Sequence, residues 1–141
     1  MTTIPELIKN PSKKHRHFTT IILVFNAIYM LLVATVSLVP ASVIVKSGFY
    51  FTGIDKWFHA AMYCVLTILL FLAWRQSRFF TVKAITVLAF TLAFVYSLIL
   101  EILQATIVSI DRSFEWLDLL ANALGAISGI FIMILLFIKK K

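Results

Sequence analysis

The sequence predicts an all-α membrane protein with four transmembrane helices, both termini cytoplasmic and a polar cluster near the outer face. Three observations lead there. The chain has 141 residues, of which 62% are apolar and only 13% charged, and its mean hydropathy is +1.01, far from a typical soluble domain. The apolar residues form four runs, each near the roughly 20 residues a helix needs to cross the hydrocarbon. Basic residues gather at alternate ends of those runs. Because the runs are continuous and do not alternate, helices are expected and a barrel is not.

The first span is expected over about residues 18–40, starting at Phe18 and stopping at Pro40. Its uncharged stretch, Phe18 to Val39, is 22 residues long. That exceeds the roughly 7–15 apolar residues of a cleaved signal peptide, so a retained span is expected. The second is expected over about 57–74, with Trp57 and Trp74 at its edges as interfacial aromatic belts require. The third covers about 84–104, following Lys83 and interrupted by Glu101. The fourth covers about 117–138 and stops at Lys139-Lys140-Lys141. Together these make one membrane domain, 18–141, preceded by a basic arm, 1–17, that would rest on anionic lipid. His15 and His17 lie in that arm, where positive surroundings argue against a metal. The outer loop at 41–54 carries the aromatic triplet Phe49-Tyr50-Phe51, fit to anchor in the interface or to cover a site.

Charge sets the orientation. Ten of the 13 Lys and Arg residues precede span one, join spans two and three, or follow span four. By the positive-inside rule that side is cytoplasmic. Five of the six acids, Asp55, Glu101, Asp111, Glu115 and Asp118, fall toward the other side. The net charge of +7 therefore does not imply nucleic acid, because the cations bracket spans and form no patch with stacking aromatics. The lone Cys64 cannot make an internal disulfide.

The polar residues share a depth. At about 1.5 Å per residue, His59 lies about 24 Å from Arg75, Glu101 about 27 Å from Lys83, and Asn122 about 25 Å from Lys139. Ionisable groups are costly so near an apolar core and commonly mark a working site. Lys56, His59 and Tyr63 share one helix face, and Asp55 stands four residues before His59, placed to orient it. The plainer alternative is an interfacial Asp55–Lys56 pair with His59 in a packing contact. Glu101 and Gln104 share a face on span three; Glu101 needs a cation, a shared proton or water, with Lys56 and Arg112 the nearest partners by depth. It would either bind a ligand or lock the spans together. Glu115 and Asp118 suit a helix N-terminus, and Asn122 is deep enough to bond a neighbouring helix or a ligand. Gly125 and Gly129 form a small-xxx-small face for close packing, open to a membrane protein partner. Asn26 is expected to bond between helices. His59, Glu101 and Asp118 offer a mixed ligand set, but without a second histidine or a cysteine pair at ligand spacing no metal and no cofactor is expected.

Asp55-Lys56-x-x-His59-x-x-x-Tyr63, then Glu101-x-x-Gln104, then Arg112-x5-Asp118-x3-Asn122-x2-Gly125, resembles the VanZ-like family of bacterial integral membrane proteins. The resemblance runs over about residues 53–130 and keeps the motifs in family order. It implies a small multi-helix protein of the bacterial inner membrane and cell envelope, in a family whose best-known relative is associated with low-level teicoplanin resistance. It implies no settled activity. One departure stands out: Ser109-Ile110-Asp111 replaces the proline expected before the arginine.

Three functions are compatible with these residues. The first is binding of an anionic lipid headgroup or envelope glycan precursor, with Lys56 and Arg112 on phosphate or carboxylate and Glu101, Gln104 and Asn122 on hydroxyls or amides. The second is an accessory or structural subunit of a larger envelope complex. The third is a membrane-surface phosphoester or acyl-transfer enzyme, with His59 as base and Glu101 as acid or second base; Ser109 and Ser113 lack a nucleophile-elbow setting.

Overall fold

The computed structural model describes residues 13–40, 42–43, 53–75, 80–107, 109 and 112–138. Four helices make up nearly all of them: α1 (Lys13–Ser37), α2 (Ile54–Arg75), α3 (Val82–Thr106) and α4 (Trp116–Ile138). Each is long and apolar enough to cross a membrane. The expected residues 1–12 of the basic arm, the Phe49-Tyr50-Phe51 triplet, Arg78, Asp111 and the final lysines lie outside the described residues.

Every helix has a local reason to start or stop. α1 ends three residues before Pro40, whose ring disfavours helical backbone in the residue ahead of it. Gly53, at φ +93°, takes a left-handed turn immediately before α2. Thr81 caps α3 by accepting the Ala84 N–H at 3.2 Å. At its other end the Ile107 N–H closes onto the Leu103 carbonyl at 3.0 Å. Asp55 and Asp118 sit in the first turns of α2 and α4, against the positive end of each helix dipole.

The helices do not stop where the expected spans do: α2 starts at Ile54, three residues before Trp57, and α1 departs furthest. α1 begins at Lys13, so residues 13–17 of the expected arm continue the helix. Lysine and arginine are good helix formers, and the hydrogen-bond ladder has no reason to stop where the side chains turn basic.

The tightest seam joins α2 and α4, which run in the same direction from the same end of the bundle. It can be followed from Lys56 beside Asp118, through Ala60 on Gly125 and Cys64 on Gly129, to Phe71 stacked on Phe137 at 6.3 Å. Arg75 closes the far end, 3.4 Å above the Phe137 ring. Lipid supplies no hydrophobic push between helices, so association depends on close packing, and the two glycines allow the backbones to touch. Both glycines face α2 of the same chain.

α3 joins this pair along a small-residue face of Ala89, Ala93 and Ser97, all fully buried. α1 lies outside the other three, with 11% of its span buried against 39% for α2. Side-chain hydrogen bonds to backbone carbonyls staple it in place. Asn26 donates to Leu69 at 3.0 Å, Tyr29 to Met62 at 3.1 Å and Tyr96 to Met30 at 2.6 Å. Asn26 thus makes the interhelical bond expected of it.

A Cβ on residue 125 would run into the Ala60 carbonyl group, and one on residue 129 would stand 2.5 Å from the Cys64 carbonyl oxygen. Gly125→Ala is therefore expected to destabilise the protein by about 1–3 kcal/mol or more through overpacking, and Gly129→Ala by less. Unfolding curves of both variants in detergent will rank them.

Candidate functional site

The helix directions bring the starts of α2 and α4 and the ends of α1 and α3 to one end of the bundle. Asp55, Lys56, His59, Tyr63, Glu101, Gln104, Arg112, Asp118 and Asn122, singled out in the sequence, all lie toward that end. His59, Glu101, Gln104, Asp118 and Asn122 are all buried, in a chain whose outward faces are apolar. Trp57 and Trp116 project outward at the same end, 77% and 75% exposed, as an interfacial aromatic belt requires.

Asp118 is the hub. It is 1% exposed, and its carboxylate accepts a short hydrogen bond from the Lys56 ammonium. His59 Nε2 stands 3.8 Å from its Oδ2, and Arg112 Nη2 stands 4.0 Å from the same oxygen. Burying a charge is tolerable only where partners compensate it, and three basic side chains surround this one. Lys56 is equally committed. It also donates to Asp55 at 3.0 Å and to Glu115 at 2.6 Å, so its three N–H groups meet three carboxylates.

His59 departs from the expected pairing. Asp55 bonds Lys56, and the carboxylate that faces the imidazole is Asp118, from α4. A preceding residue on the same helix points along its own face, whereas α4 packs directly across from it. On its other side His59 Nδ1 meets Asn122 Oδ1 at 3.1 Å; since that oxygen only accepts, Nδ1 is the donor there. Asn122 Nδ2 then donates to Ser97 Oγ at 2.7 Å. A polar chain thus crosses the bundle from α2 through α4 to α3.

Glu101 also differs from expectation. It is 2% exposed, yet among the described residues neither Lys56 nor Arg112 pairs with it. Its one hydrogen bond comes from the Glu115 backbone N–H, at 3.5 Å. Lys56 is drawn off by the acids of α4's first turn. Arg112 turns instead to the Ser37 carbonyl, where its Nη1 donates at 3.5 Å. Gln104 Nε2 donates to the same carbonyl at 2.5 Å, so two side chains serve the carbonyl end of α1, which has no intrahelical partner. The buried Tyr63 hydroxyl closes no hydrogen bond; Ser97, Tyr96 and Glu101 are the polar groups that bear on it.

The carboxylates that converge most closely are Asp55, Glu115 and Asp118, with ligand oxygens within 4.8 Å of one another. This is not the His59, Glu101 and Asp118 set offered by the sequence. An all-oxygen set suits a hard cation such as Mg²⁺ or Ca²⁺, but here the Lys56 ammonium bonds all three.

A family model described as VanZ/LLP1 matches residues 3–137. The chain belongs to the VanZ/LLP1 family. No curated protein and no solved structure matches it. As a VanZ/LLP1 protein with four membrane-length helices it is a multi-pass membrane protein.

Three participants were not singled out as site residues. Glu115 was given only a helix-terminal role, although its position three residues before Asp118 puts both on one face. Ser97 lies four residues before Glu101 and could have been found by the same spacing. The Ser37 carbonyl carries no side-chain signal; only Pro40 announces that a helix end nearby needs partners.

Lys56→Met is expected to lower stability, because it leaves Asp118 buried with its main counter-charge gone. Adding Asp118→Asn should recover part of the loss. A double-mutant cycle in detergent is expected to give a coupling of about 1–3 kcal/mol, and additive effects would show that the pair contributes nothing to the fold.

Proposed function

We propose that this VanZ/LLP1 protein binds an anionic lipid headgroup or cell-envelope glycan precursor at the outer face of the bacterial cytoplasmic membrane, with Arg112 as the anion contact. The observation that carries the reading is the uneven commitment of the two cations. Lys56 is held by three carboxylates and acts as the pin of the site. Arg112 makes one long bond, to Ser37, and stands 4.0 Å from its nearest carboxylate oxygen. Its side chain is 18% exposed, which leaves part of its planar donor fork open to a phosphate or carboxylate. Behind it Glu101 holds only one long bond, from the Glu115 backbone, and is the buried group left to accept from hydroxyls or amides of a headgroup.

The orientation supports the same reading. Arg75 and Lys83 lie at the end of the bundle opposite the site, and the basic residues at 9–16, 78 and 139–141 flank the same helix ends in the sequence. The positive-inside rule puts that end in the cytoplasm and the site outside.

Two experiments test this. In a Cys64→Ser background, Glu115→Cys is expected to react with a membrane-impermeant maleimide added to intact spheroplasts; protection until lysis would invert the orientation. Native mass spectrometry of protein extracted from its own membranes is expected to show a bound anionic molecule on the wild type. Arg112→Gln should lose it by about tenfold, which is about 1.4 kcal/mol, with little change in melting. Equal occupancy in both samples would remove Arg112 from the role.

A further inference from the structure

The charges of the site do not balance. Among the described residues, Asp55, Glu101, Glu115 and Asp118 face only Lys56 and Arg112, a formal −2 with His59 neutral. Three of these carboxylates share Lys56. The fourth, Glu101, is 2% exposed, has no cationic nitrogen within ion-pair distance and holds one long backbone bond. A carboxylate in that position is strongly favoured by any cation brought to it.

A second observation falls at the same place. The Tyr63 hydroxyl is buried at 1% exposure and closes no hydrogen bond of good geometry, and its first polar neighbour is Ser97, one helical turn before Glu101 on α3. A buried hydroxyl without a partner costs stability unless something completes it. An ammonium group has donors enough for both the Glu101 carboxylate and the Tyr63 oxygen. Arg112, which bears on Glu101 electrostatically, stands toward the rim.

We propose that the ligand is zwitterionic, with its anionic group on Arg112 and a primary amine on Glu101 and the Tyr63 hydroxyl, the arrangement offered by a phosphoethanolamine headgroup. This rests on the reading of Arg112 as the anion contact. It goes further in naming the ligand's other half and in giving Glu101 a binding role. A purely anionic headgroup meets four carboxylates against Lys56, already shared by three of them, and one loosely held arginine. A headgroup that carries its own ammonium brings the charge that the described residues of the site do not supply to Glu101.

The test compares three lipids on the detergent-solubilised full chain by native mass spectrometry: phosphatidylethanolamine, phosphatidylglycerol, and phosphatidylethanolamine acetylated on its amine. Wild type is expected to favour the free amine over both others by about tenfold. Glu101→Gln should bring all three to the phosphatidylglycerol level, and Tyr63→Phe should narrow the preference. Soluble phosphoethanolamine added as competitor separates a site for the headgroup alone from one that also needs the acyl chains. If the three lipids bind wild type equally and Arg112→Gln weakens all of them, the zwitterion assignment is overturned while the anion site stands. If wild type captures none, the zwitterion assignment falls together with the phospholipid form of the anion reading, and the extraction from native membranes decides the glycan-precursor form. The acetylated lipid keeps the question decidable on unmutated protein should Glu101→Gln not fold.

Discussion

Asp118 sits at 1% exposure near the end of an apolar bundle, and the neutralisation of that one carboxylate governs what surrounds it. Lipid cannot solvate a charge, so the partners must come from the protein. Lys56 from α2 and Arg112 from the preceding loop supply them, and His59 Nε2 stands 3.8 Å from the same carboxylate. To hold these groups within reach, α2 and α4 must run parallel and close, and the glycine contacts along their seam make that approach sterically feasible. The electrostatics at one end and the backbone packing below it are thus one requirement met twice.

That requirement also explains why Glu101 stands apart. Once Asp118, Glu115 and Asp55 have claimed Lys56, and the end of α1 has claimed part of Arg112, no cation of the described site remains for the α3 carboxylate. The two groups left without good partners, Glu101 and the Tyr63 hydroxyl, belong to different helices and fall in the same region. The satisfied groups build the framework, and the unsatisfied ones are where a ligand would make its largest electrostatic difference.

Much of this was legible in the sequence. The four spans follow from uninterrupted apolar runs, which depend on composition alone and survive any detail of packing. The convergence of Lys56, His59, Glu101, Gln104, Asp118 and Asn122 followed from counting residues to the nearest basic flank, since helical rise is constant. Which side chain meets which was not legible. His59 turned to Asp118 and not to Asp55 because the choice depends on which helix lies across from it. Arg112 turned to the Ser37 carbonyl because a helix end without partners competes for donors as effectively as a carboxylate does. Gly125 and Gly129 announced a close contact without saying that the contact was internal.

The parallel seam carries a consequence for how the molecule is made. α2 leaves the ribosome well before α4, with α3 between them, so Lys56 and His59 enter the bilayer before Asp118 exists. Until α4 inserts, Asn122 cannot bridge to Ser97, and the glycine contacts that bring α2 and α4 together are missing. Assembly is therefore completed only when α4 inserts, and a chain cut short before Trp116 leaves polar groups exposed within the bilayer. Such groups are what membrane quality control can distinguish from a finished bundle.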